Sequence, residues 1–75
     1  MSTVQLTGTI QRVTLGMGAW TLVTDQGDTY ELHRPPADLC TKGLKVTVQG
    51  QIRSDIATLA MVGPVLEIKT FSITE

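Results

Sequence analysis

Aromatic residues are scarce in this chain, with one Trp, one Tyr and one Phe among 75 residues. Proteins that hold single-stranded nucleic acid without sequence preference stack bases on exposed rings, each worth about 1–3 kcal/mol, above a basic groove. Three rings are few for that task, and basic charge is short as well. Arg12, Arg34, Lys42, Lys45, Arg53 and Lys69 are outnumbered by seven acidic residues and lie scattered along the chain. No stripe of the kind that tracks a phosphate backbone is present. Cysteine occurs once, at Cys40, so no internal disulfide supports the fold. Apolar runs are only a few residues long, against the roughly 20 needed to cross a bilayer. The N-terminus lacks a positive segment followed by an apolar one, so no signal peptide is expected and the expected location is the cytoplasm.

What the chain does have is alternation. Two alternating runs, Ala19 to Thr24 and Asp28 to about His33, flank Asp25-Gln26-Gly27. This predicts a hairpin whose turn closes on a left-handed glycine. With Gly27 in that position Thr24 faces Asp28, Val23 faces Thr29, Leu22 faces Tyr30 and Trp20 faces Leu32. The large residues then share one face, the core side. Thr21, Val23, Thr29, Glu31 and His33 form the other, which is expected to face solvent.

Thr3 to Thr14 reads as a first strand that changes phase at Val13 and Leu15, a sign of a bulge or sharp bend. Gly8 within it lets a strand coil tightly. Gly16-Met17-Gly18 turns the chain into the second strand. Arg34-Pro35-Pro36 ends the third, and Pro36 opens a two-turn helix that closes at Lys42-Gly43. Leu39 and Cys40 on this helix are expected to dock on the sheet and be buried. Leu44 to Arg53 alternates most cleanly, with Leu44, Val46, Val48, Gly50 and Ile52 on one face. Ser54-Asp55 starts a turn, and Ile56 to Val62 is compatible with strand, helical turn or loop. After Gly63-Pro64 the last strand, Val65 to Thr74, switches phase between Leu66/Ile68 and Phe71/Ile73. Phe71 is assigned to the core.

These elements predict one all-β domain over residues 1–75. Its architecture is a small five-stranded OB-like Greek-key barrel with one short helix between strands three and four. The helix favours this over an SH3-like barrel. The residues that define it, Gly8-x-Ile10, Gly18-Ala19-Trp20-x-Leu22, Asp25-x-Gly27-x-x-Tyr30-x-Leu32, Gly43-x-x-Val46-x-Val48-x-Gly50 and Met61-x-Gly63-Pro64, resemble small bacterial OB-fold proteins of uncharacterised function. The resemblance covers most of the chain, but rests on glycines and core apolar positions. It implies a barrel and assigns no catalytic or binding residue.

Chemistry is sparse. Glu31 and His33, two apart on one strand, offer at most two metal ligands where a site needs three or four, so no metal and no cofactor are expected. Asp25, Asp28 and Ser54-Asp55 suit turns. No nucleophile, base and orienting group assemble, and an enzyme is not expected. The reading is a non-catalytic binding or protein-interaction module that self-associates, through Met17, Ile56, Leu59 and Met61 or through a free edge beside strand three or the Ile56 to Val62 segment. The alternative is weak binding of single-stranded nucleic acid or oligosaccharide on the strand two/three face, with Thr21, Thr29, His33 and Arg53 as contacts.

Overall fold

A computed structural model describes residues 3–14, 18–58 and 63–74. Five strands, β1 (Val4–Val13), β2 (Ala19–Thr24), β3 (Thr29–His33), β4 (Lys45–Arg53) and β5 (Val65–Ile73), close into a barrel in the order β1-β2-β3-β5-β4. All neighbours are antiparallel except β3 and β5, which run parallel. This is the all-β, OB-like Greek-key barrel that the sequence predicts, with its ring closed. The free edge expected beside strand three is accordingly absent, because β5 pairs with it.

The hairpin follows the register read from the sequence. Leu22 faces Tyr30 and Val23 faces Thr29. The Thr24 amide donates to the Asp28 carbonyl at 2.7 Å, and Gly27 sits at φ +92°. Leu22 and Leu32 enter the core with Ile10, Leu39, Val46, Val48 and Leu66. Trp20, Tyr30 and Phe71 are half-buried and pack against it.

β1 serves two neighbours. Its lower part, Val4 to Thr9, pairs with β4, and its upper part, Gly8 to Val13, pairs with β2. Gly8 and Thr9 are shared by both ladders, and a Cβ on Gly8 would run into the Val23 carbonyl and lie 2.7 Å from the Thr24 Cα. Of the bulge or sharp bend expected here, no bulge occurs as far as Val13, since the β1–β2 register runs unbroken to that residue, and Leu15 lies outside the described residues. The strand's inward phase simply runs out of core at the exposed Arg12. The phase switch of the last strand is a true bulge. Gln49 faces Thr70 while Gly50 faces Ile68, which leaves Lys69 as the extra residue.

Two expectations about the β3–β4 connection are corrected. The two-turn helix is a single 3₁₀ turn, Ala37–Leu39. Its ladder stops when the Thr41 amide turns back to the Leu39 carbonyl at 2.7 Å, and Gly43 at φ +87° then swings the chain into β4. The turn still delivers Leu39, fully buried, into the barrel. Cys40 is half-buried instead of buried, with its Sγ 3.5 Å from the Pro36 carbonyl oxygen. Ile52, expected inside with its neighbours along β4, is 45% exposed. It lies past Gly50, the last β4 residue that β1 covers.

Candidate functional site

Three surfaces merit comparison, and the ring register locates the first. Gln11 faces Thr21, Thr21 faces Glu31, Glu31 faces Val65 and Val65 faces Arg53. Arg53 stands three residues beyond Gly50, the partner of Val4, so one circuit slides about ten residues along β1. These five residues form one outward-facing row across the strand two/three face. At its centre the row is closed to solvent, with Thr21 0%, Glu31 3% and Val65 2% exposed.

The sequence placed Thr21 and Glu31 on a solvated face, and this is corrected. The Thr21 hydroxyl donates to the Gln11 carbonyl at 3.2 Å and is closed to solvent. Alongside, the Glu31 amide donates to the Pro64 carbonyl at 2.8 Å, and a Cβ on Gly63 would run into the Thr29 carbonyl. The approach to β5 thus runs directly beside β3. Thr29 and His33 remain half-buried on this face.

The second surface is an ionic cluster at the end of β4. Arg53 donates to Asp55 through Nε at 2.9 Å and a terminal nitrogen at 2.7 Å, and to Glu67 at 2.8 Å through the other terminal nitrogen. Lys69 reaches the same Glu67 oxygen at 3.3 Å. Asp55 is held below the ordinary carboxylate range, chiefly by the Arg53 hydrogen bonds and next by a backbone hydrogen bond. Glu67 is lowered by Arg53 first and Lys69 second, and Arg53 itself is raised by both carboxylates. The guanidinium that sequence reasoning offered to phosphates is thereby occupied by two anions. Sequence alone held a signal for this, since Arg53-x-Asp55 and Glu67-x-Lys69 each put two opposite charges two residues apart.

Other basic groups are similarly engaged. Lys45 pairs with Asp25 at 3.1 Å, and the Arg12 guanidinium lies 5.3 Å from the centre of the Trp20 ring. Among the described residues only Arg34 and Lys42, both on the β3–β4 connection, have neither an ion pair nor a ring contact.

The third surface is an edge. The Asp25 amide donates to the Thr7 carbonyl at 3.0 Å, so Thr7 points its backbone groups toward the β2 side of β1. On the opposite side Ile10 exchanges bonds with Leu44 and Gly43. By strand alternation the N–H and C=O of Gln5 also point to the β2 side, below the level at which β2 ends. Among the described residues they have no partner. A groove of about 270 Å³ lies against this edge, lined by Gln5, Leu6, Thr7, Thr24, Asp25 and Gln26.

Of the proposed interaction residues, Met17, Leu59 and Met61 lie outside the described residues. Ile56 is half-buried in the bend after β4, and residues 56–58 belong to no strand or helix. No helix among the described residues is long and apolar enough to cross a membrane. Compared with protein-family models, with curated proteins and with solved structures, the chain finds no match in any of the three.

Proposed function

We propose that this chain is a non-catalytic protein-interaction module of the cytoplasm that associates with itself. The observation that carries this reading is a contrast in backbone and side-chain saturation. The outer row through Thr21, Glu31 and Val65 is covered and four of the six basic groups are engaged, whereas the lower edge of β1 carries peptide groups without partners among the described residues. Unpaired strand edges invite pairing with another chain. Binding of nucleic acid on the strand two/three face is the weaker alternative. It would draw on Thr29, His33 and an Arg53 that two carboxylates already hold.

Sedimentation across a concentration series, with a salt titration of a labelled single-stranded oligonucleotide beside it, tests the reading. Expected are a reversible shift to higher mass and no oligonucleotide binding at low salt. A monomer at all concentrations that binds the oligonucleotide in a salt-dependent way would replace this reading with the alternative.

A further inference from the structure

We infer that the lower edge of β1 is a two-fold interface, in which two copies pair antiparallel about Gln5 and extend one barrel sheet into the next. The inference rests on the self-association reading and names the surface that performs it.

Three observations lead here. From Thr3 to Gln11 the chain has no charge and no proline, the usual devices that blunt an edge. Where β5 extends past its pairing with β3, by contrast, it carries both a bulge and a lysine at Lys69. The 270 Å³ groove lies on the β1 edge and gives an incoming strand room beside the Asp25-Gln26 turn.

The occupant is a second copy because the edge complements itself. With Gln5 opposite the partner's Gln5, the outward-pointing peptide groups of both residues face one another and form a hydrogen-bonded pair. Val4 then meets the partner's Leu6, and the pairing ends short of Thr7, whose carbonyl already accepts from the Asp25 amide. Val4 and Leu6 are half-buried against their own core, and the pairing covers more of both. On the outer face, Gln5 already accepts from the Gln49 side-chain amide at 3.1 Å, and Gln49 accepts from the Thr70 hydroxyl at 3.1 Å. Two-fold pairing continues this row through Gln5 into the same row of the partner. No charge lies at any position from Val4 to Leu6.

The test is charge complementation at the axis. Gln5 is exposed, and its backbone groups do not serve the β1–β4 ladder, so Gln5→Lys and Gln5→Glu leave the barrel folded, as far-UV circular dichroism checks. Each variant alone places like charges directly opposite one another and is expected to lose association by at least tenfold relative to wild type. Mixed together, the two are expected to form a heterodimer that sediments as the wild type does and weakens at high salt. A wild-type monomer at all concentrations overturns the self-association reading and this interface together. A wild-type dimer that Gln5→Lys leaves intact overturns the interface alone. Two monomeric variants that do not associate when mixed overturn the two-fold register about Gln5.

Discussion

The outer row through Thr21, Glu31 and Val65 and the lower edge of β1 are both built from outward-pointing backbone and side chains, yet one is sealed and the other open. The difference comes from where the neighbouring strand ends. β3 is flanked by β2 and β5, and Gly63-Pro64 extends that flank, so its peptide and side-chain groups are satisfied within the chain. β2 stops at Thr24 and turns at Asp25, which leaves the β2 side of β1 without a neighbour among the described residues from Gln5 downward, while β4 still pairs on its other side. In a small closed barrel the strong slide of the register makes such an overhang unavoidable. An open edge is therefore set less by which residues face outward than by which strand outlasts its partner.

The largest expected effect breaks the closure on which both regions depend. Gly8→Val pushes a side chain into the Val23 and Thr24 backbone at the point where β1 passes from one ladder to the other. A loss of about 3 kcal/mol or more is expected in urea denaturation, because backbone on both sides resists the shift.

Next in size is a paired measurement on the two regions. Val65→Ala removes buried volume from the sealed row and is expected to cost about 2 kcal/mol. Gln5→Lys on the open edge is expected to change the stability of the dilute protein by no more than about 0.5 kcal/mol. Equal costs at the two positions would erase the distinction.

The smallest effect concerns the ionic cluster beside the sealed row. Asp55 and Glu67 are more acidic in the folded chain than in the unfolded one, so the folded state binds fewer protons through the acid range. Their contribution is present above about pH 4 and is lost as pH falls through the lower folded values. Glu67→Gln is expected to give a shallower decline of melting temperature with acidification. Because these groups sit at the surface, the change is modest and shrinks with salt.

Much of the fold was legible because alternation and turn glycines are local signals. The register around Gly27, the phase switch resolved at Lys69 and the swing at Gly43 each follow from a few adjacent residues. The helix was overestimated since proline at its start and glycine at its end frame a turn as readily as a helix, and the Thr41 amide bonds back to the Leu39 carbonyl instead of continuing a helical ladder. The candidate site was less legible. Thr21, Val23, Thr29, Glu31 and His33 look like a solvated face when the hairpin is considered alone. The burial of its centre, and the parallel pairing of β3 with β5 made by residues more than 30 positions apart, leave no mark in that local pattern. The β1 edge left a trace in the uncharged run from Thr3 to Gln11, but its lack of a partner depends on where β2 ends in space.

Amide hydrogen exchange at Gln5, followed by NMR from dilute to concentrated protein, addresses the central claim most directly. The account predicts fast exchange in dilute solution and growing protection as concentration rises, while the Leu22 amide stays protected throughout. Protection of Gln5 that is complete at the lowest concentration, or absent at the highest, would contradict it.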